Sequence, residues 1–389
     1  MGILEGWIVM VFRVALVVVV LVVGVCISAG TVAGKELRPV VGAIRWDAWH
    51  RIADGPKRVG SPVEAMERSL GPGAYNWRLP FFGTVVSENE VRIDGYNQKI
   101  VDQEIEYAKA GGIDYWAFLL YEPEYEMSQG LSLYLSSSRK KDMHFCAIAS
   151  GNTLGNAEQF KDKSKRVIDL MAQPTYQKVL GNRPLLYIFD VSDGWMAAWG
   201  GEANAKRLFD EFRASVTARG LGNPYMVVMD FTPSRGSKIA QAIGAEAIST
   251  YATAGNLVGA MPYITLADAA KKFWDDCSLT SSQVVPIVMA GWDRRPRIEH
   301  PVPWETYQKP GEGIENYYQS PTPKELASLV KDALQFIDAN KSKCPARAAI
   351  VYAWNEHDEG GWLCPTLKTD GKPNTERLDA IGAMLKRYK

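Results

Sequence analysis

The sequence predicts a single (β/α)8 barrel, on three observations. Eight short β-branched or aromatic runs recur after residue 39, segments of helical period separate them, and no G-x-G-x-x-G follows the first run. Alternating strand and helix signals specify a parallel sheet wrapped by helices, and the missing glycine fingerprint disfavours the open dinucleotide-binding sheet. The runs are "VVGAI" from 40, "YWAFLL" from 115, "HFCAIA" from 144, "LLYIF" from 185, "YMVVM" from 225, "EAIST" from 246, "VVPIVM" from 284 and "AAIVY" from 348. Several are apolar on both faces, as strands buried between a barrel interior and a helical layer must be.

The helices are read from caps and period. In "TPKELASLVKDALQFI", Thr322 is the N-cap, Pro323 fits the first helical position and Glu325 closes a capping box, after which Leu326, Leu329, Val330, Ala333, Leu334 and Ile337 share one face. "VDQEIEYAKAGG" ends on glycines past its last periodic residue, and 157–171 and 203–219 have helical period as well. Two connections, 45–95 and 290–321, are too long for plain turns and are rich in Trp, Pro, Gly and Arg. Both leave the carboxyl ends of strands, where barrel enzymes build their sites.

Residues 1–33 stand apart. Arg13 leads into an unbroken apolar run, Val14 to Ile27, followed by small residues up to Ala33. That is the layout of a signal peptide cleaved near Ala29 or Ala33, or, with Trp7 to Phe12 added, of a retained N-terminal membrane anchor. The expected organisation is therefore a leader over 1–33 and one barrel over 34–389, in an exported protein. Lysine plus arginine equal aspartate plus glutamate at 44 each, so there is no electrostatic footprint for nucleic acid. The four histidines are scattered and no C-x-x-C occurs, so neither a metal nor another cofactor is expected. Cys277 and Cys344 fall at the amino-terminal face of neighbouring barrel units, which makes them candidate disulfide partners in an oxidising compartment, with Cys364 as a rival.

The ends of the eight runs carry the chemistry. They bring Trp46 and Asp47, Tyr121 and Glu122, Asp190, Asp230, Tyr251, Trp292 and Asp293, then Trp354, Asn355, His357 and Trp362, to one barrel mouth. Carboxylates interleaved with flat rings suit a sugar, whose hydroxyls want acceptors and whose C–H faces stack on aromatics. Asp190 and Asp230 can equally cap the helices that follow them. Arg294, Arg295 and Arg297 can pin their loop or meet an acidic substrate. Glu356 and Glu359, three apart beyond the last strand, can face one cavity, and two carboxyls flanking a glycosidic bond are the usual machinery of its hydrolysis. An acidic strand-to-helix loop is the plainer alternative.

The same residues carry a resemblance. "AWNEHDEGGWLCP" resembles the N-E-W-x-E-G signature of WbsX-like proteins and of glycoside hydrolase family 99, and "IVMAGWDRRPR" resembles the G-W-D-x-x-P-R stretch of the same group. "VDQEIEYAKAGGIDYWAFLLY" is similar to its early helix and second strand. His357 stands where that signature has tryptophan, and Cys364 where an acidic residue is usual. The resemblance implies a (β/α)8 barrel that cleaves α-linked, mannose-like glycans or bacterial polysaccharide with retention and without a metal. It gives Glu356 the part of the base that deprotonates the sugar 2-hydroxyl, and Glu359 the part of general acid and then base. A WbsX-type glycosyltransferase and a catalytically silent carbohydrate-binding barrel are the alternatives. The first lacks a D-x-D motif here, and the second keeps both glutamates unused.

Overall fold

A computed structural model of the protein describes residues 37–51 and 61–388. The leader expected over 1–33 lies outside the described residues. From Arg38 onward the chain is one unit. It runs β1 (Val40–Arg45), α1 (Gln98–Ala110), β2 (Tyr115–Leu119), α2 (Gln129–Ser136), β3 (His144–Ser150), α3 (Phe160–Met171), β4 (Arg183–Phe189) and α4 (Glu202–Ala218). It continues through β5 (Tyr225–Met229), α5 (Pro233–Ile243), β6 (Ala247–Ser249), α6 (Tyr263–Ser278), β7 (Gln283–Val284 and Ile287–Met289), α7 (Pro323–Ala339), β8 (Ala348–Tyr352) and α8 (Glu376–Arg387). This is the (β/α)8 barrel that the sequence predicts, with every strand where its run was read.

All eight staves pair in parallel, and β1 lies between β2 and β8. Closure falls on β7, which is split by Pro286. Its first half pairs with β6 and its second with β8. Proline has no N–H to give the ladder. The stave bridges the gap through its neighbours: Val285 N–H donates to the Ile248 carbonyl, and the Pro286 carbonyl accepts from Ile350 N–H, both at 3.0 Å.

The interior is filled, as in other barrels of this size. Tyr115 from β2 reaches Tyr187 of β4 at 2.8 Å between hydroxyls and donates to the Ala349 carbonyl of β8 at 3.1 Å. Gly42 in β1 makes room for it, since a Cβ there would lie 2.2 Å from the Tyr115 ring. Outside, α7 begins with the predicted capping box of Thr322 and Glu325, and its six periodic apolar residues are buried against the barrel. At ~1.5–3 kcal/mol per buried large aliphatic side chain, that face fixes the helix far more firmly than propensity does. Among the described residues no helix is long and apolar enough to cross a membrane.

The expected Cys277–Cys344 bridge is not formed: Cys146, Cys277, Cys344 and Cys364 are all free and buried. Cys277 lies on the inner face of α6 with Phe273 and Trp274, so its thiol acts as a small apolar group. Chain position put the two cysteines on neighbouring units, but the direction of each Cβ is a tertiary matter.

The two long connections sit together at the carboxyl ends of the strands. The first holds a helix, Pro62–Leu70, and a hairpin of Thr84–Ser87 with Glu90–Arg92; the second holds a short helix, Arg295–Glu299.

Candidate active site

Beyond β8 the chain makes a miniature hairpin, Asn355–Glu356 against Gly361–Trp362, with a single helical turn, His357–Glu359, at its tip. That turn sets Glu356 and Glu359 side by side. Gly360 closes it at φ 85°, where the backbone runs so near the β7 loop that a Cβ would lie 2.5 Å from the Asp293 nitrogen. The close approach admits a hydrogen bond from Asp293 N–H to the Glu359 carbonyl at 2.7 Å.

Both carboxyls are enclosed, Glu356 at 3% exposure and Glu359 at 7%. Glu356 accepts from the Tyr251 hydroxyl at 2.9 Å and lies 3.3 Å from Arg297 Nη2. Glu359 accepts from Arg297 Nη1 at 2.6 Å, from Arg294 Nε at 3.0 Å and from the Tyr352 hydroxyl. Arg297 also donates to Asp358 and, at 3.2 Å, to Glu305, which takes Arg294 as well. One buried guanidinium therefore holds four carboxylates.

These contacts split the pair. Burial, and after it the charge of Glu359, pushes Glu356 well above the ordinary carboxylate range. Burial also works to raise Glu359, but Arg297 and then Arg294 outweigh it and hold that carboxyl below its usual value. The two carboxyls are thus biased in opposite directions, Glu356 toward the protonated acid and Glu359 toward the carboxylate. A donor and an acceptor one turn apart are the elements of general acid–base chemistry.

The other expected residues divide into three groups. Trp46, Tyr121, Tyr251 and Trp292 surround the pair. Trp46 donates from Nε1 to the Tyr121 hydroxyl at 2.8 Å and lies 5.0 Å from the Arg297 guanidinium, and Trp292 leans on Tyr352 at 5.5 Å between rings. Tyr121, Glu122 and Asp190 line a cavity of about 610 Å³ at the ends of β2, β3 and β4. Its wall at Phe189 stacks on Tyr251, 4.8 Å between rings, so the cavity adjoins the pair through two aromatic contacts.

The third group is engaged with protein partners or lines another cavity. Trp354 is fully buried against Trp116 and donates to Glu104 at 2.8 Å. His357 is fully buried against Trp49, with Nδ1 on the Arg78 carbonyl, and burial pulls its pKa down to about 3, so the ring is neutral. Asn355 accepts from Trp46 N–H at 2.9 Å and reaches Asp47 at 3.4 Å, tying the end of β8 to the end of β1. Asp47 is spent on Arg45 at 2.8 Å and His50 at 3.4 Å. Both oxygens of Asp293 are taken by Arg295, at 2.9 and 2.7 Å, with Arg78 added on one. Asp230 braces the start of α5 through Thr232 N–H at 2.8 Å and Arg235. Trp362 lines a separate cavity, away from the glutamates. Each was placed by its position at a strand end, and a strand end does not distinguish a side chain that faces the mouth from one that folds back to meet a buried charge.

The sequence names Tyr251, Arg294 and Arg297 without tying them to the glutamates, whose charge they set. Of the two parts open to them, Arg294 and Arg297 take the first and pin their loop, with Arg297 only 4% exposed. Tyr352 was counted as a strand residue only. Glu104 left a signal: a carboxylate inside the apolar face of α1, flanked by the buried Val101, Ile105 and Ala108, needs a buried partner, and it has Arg45 at 2.9 Å.

No protein-family model matches the chain, and no curated protein is similar to it in sequence. Among solved structures, the family 99 endo-α-mannosidase from Bacteroides thetaiotaomicron bound to bis-tris-propane matches over 90% of this chain and 97% of that one, at 13% identity and a TM-score of 0.57. A second structure of that enzyme matches over the same shares at 13% identity and a TM-score of 0.56. A glycoside hydrolase-like protein matches over 90% of this chain and 95% of its own, at 13% identity and 0.52. At such identity the likeness establishes architecture: this chain has the barrel fold of those glycoside hydrolases.

Proposed function

We propose that the protein is an exported glycoside hydrolase that cleaves α-linked, mannose-like glycans or bacterial polysaccharide with retention, using Glu356 and Glu359. The observation that carries this reading is the pair itself: two enclosed carboxyls one turn apart at the barrel mouth, whose surroundings push Glu356 up and hold Glu359 down. The leader sequence supports export, and the aromatic wall of Trp46, Tyr121, Phe189 and Tyr251 supports a sugar.

The roles implied by the sequence resemblance need the opposite proton placement from the resting one. Glu359 must hold the proton it gives to the leaving oxygen, while Glu356 must be free to take one from the 2-hydroxyl. Two buried, interacting carboxyls titrate as a unit, so their shared proton favours the one with the fewer and longer arginine contacts, which at rest is Glu356. On this reading substrate draws Arg294 and Arg297 from Glu359 onto Glu305, which both already touch, and the proton crosses to Glu359. Glu305→Gln should therefore leave the arginines on Glu359 and move the alkaline limb of the kcat profile to lower pH. An unmoved limb would refute the exchange.

The arginine clamp on Glu359 also favours a second reading, a silent barrel that binds glycans without cutting them. Incubation of the purified protein with α-mannans and bacterial polysaccharides, with no nucleotide sugar or metal added, separates the two. Released reducing oligosaccharide of retained anomeric form supports the hydrolase; binding with no release supports the silent barrel. Product only when a nucleotide sugar is supplied would indicate a transferase.

A further inference from the structure

A second cavity, of about 640 Å³, opens beside the barrel mouth between the segment around Trp77, the strand-like stretch 362–368 and the start of α8. None of Glu356, Glu359, Tyr251 or Trp46 lines it. Its walls hold two features that the proposed hydrolysis does not use. The first is Arg377, half-buried, whose guanidinium donates to the Trp362 carbonyl at 2.8 Å, the Ala290 carbonyl at 3.2 Å and the Ser320 hydroxyl at 2.8 Å. Among the described residues no carboxylate lies within ion-pair distance of it. The second is Trp77, an indole left 47% exposed, whose Nε1 donates to the Ala74 carbonyl at 3.0 Å and whose ring centroid lies 5.1 Å from the Arg78 guanidinium.

A cation withdrawn from water without a counter-charge is costly, and carbonyl dipoles offset that cost only in part. The cavity's own carboxylates, Asp370 and Glu376, are exposed, and Glu376 lies 3.5 Å from Lys368, so neither neutralises Arg377. Arg377 covers one face of Trp362 at 3.8 Å, the Trp362 ring meets Trp77 edge-on at 5.7 Å, and Arg78 lies 5.1 Å from the Trp77 centroid, so the ring surface left for a ligand is the exposed part of Trp77. A planar apolar platform beside an unpaired guanidinium matches one kind of ligand: a ring with C–H faces and a carboxylate.

We propose that this cavity is a second glycan site, selective for a uronic acid residue whose carboxylate pairs with Arg377 while its C–H face rests on Trp77. The site rests on the reading that the protein handles glycans, but it binds rather than cleaves. It would hold an acidic polymer at a point separate from the bond being cut, which suits a chain acting on a charged polysaccharide.

The test is calorimetric titration of the full protein with tetragalacturonate and with a hyaluronan hexasaccharide, against mannotetraose as the neutral control. At least one acidic probe should bind ten or more times more tightly than mannotetraose, with affinity falling as salt rises. Trp77→Ala, a change at an exposed ring, should weaken that probe about tenfold, the order of one lost stacking face. Arg377→Gln should remove the preference for charge. Because Arg377 also fastens α8 to two loops, the Trp77 variant keeps the proposal falsifiable if the Arg377 variant fails to fold. Equal affinity for acidic and neutral probes, or full affinity in Trp77→Ala, would overturn it. Hydrolysis is read separately: cleavage without acidic-probe binding sinks this site alone, and binding without cleavage sinks only the hydrolase reading.

Discussion

The two halves of the barrel mouth are built on opposite principles. After β1, β7 and β8 the loops are cross-braced by buried charge: Arg45 with Asp47 and Glu104, Arg78 with Asp293, and Arg297 with Glu356, Asp358 and Glu359. After β2, β3 and β4 the loops leave an open cavity in which Glu122 is exposed and meets Lys163 at 2.5 Å, and Asp190 faces solvent. The first half spends its buried polar groups on one another and so fixes where each points; the second leaves Glu122 and Asp190 exposed, with Glu122 held by a single surface pair to Lys163. Buried ion networks gain little net stability, but breaking one is expensive, so they act as positioning devices. The glutamates stand on the braced half and adjoin the open one through Tyr251 and Phe189.

The largest expected effect comes from the pair. Under the proposed roles, Glu359→Gln should cost ~10²–10⁴ in kcat on natural glycans yet spare substrates whose leaving group is already a good anion, whereas Glu356→Gln should fail on both. Equal losses on activated and natural substrates in both variants would count against the division of labour.

Next comes the brace. Arg297→Met leaves Glu356, Asp358 and Glu359 enclosed without their shared cation, and thermal or urea unfolding should show ~3–5 kcal/mol lost near neutral pH. A stability loss below about 1 kcal/mol would mean that the braced half is not braced by charge.

His357 sharpens the comparison through pH. Its folded pKa, about 3, lies below the 6.5 of an unperturbed histidine, so the unfolded chain takes up the proton first. The stability it contributes is complete above 6.5 and is lost as pH falls toward 3, at ~1.4 kcal/mol per unit. His357→Gln should flatten the stability profile across that window by one proton; an unchanged slope would show that the ring is not held neutral.

The smallest effect belongs to the open half. Glu122→Gln removes an exposed pair with Lys163, so stability should change by well under ~1 kcal/mol while KM for a glycan rises. If the protein instead loses as much stability as Arg297→Met does, the two halves do not differ as described.

Much of this was legible in the chain. Apolar β-branched and aromatic runs mark all eight staves, and the cap at Thr322 and Glu325 marks the first residue of α7, because those signals depend on neighbours a few positions away. The Glu356–Glu359 spacing and the arrival of β8 at the mouth were legible for the same reason. What the sequence could not set was the partner of each buried charge. Arg297 meets Glu359 across 62 residues and Glu104 meets Trp354 across 250, so these pairings exist only once the barrel has closed. Until then Trp354, His357 and Asp293 look like mouth residues, Arg297 can equally pin its loop or meet an acidic substrate, and Cys277 and Cys344 look like a bridge. Local order follows from local pattern, whereas the protonation of Glu356 and Glu359 follows from which long-range cation reaches which carboxyl in a space that excludes water.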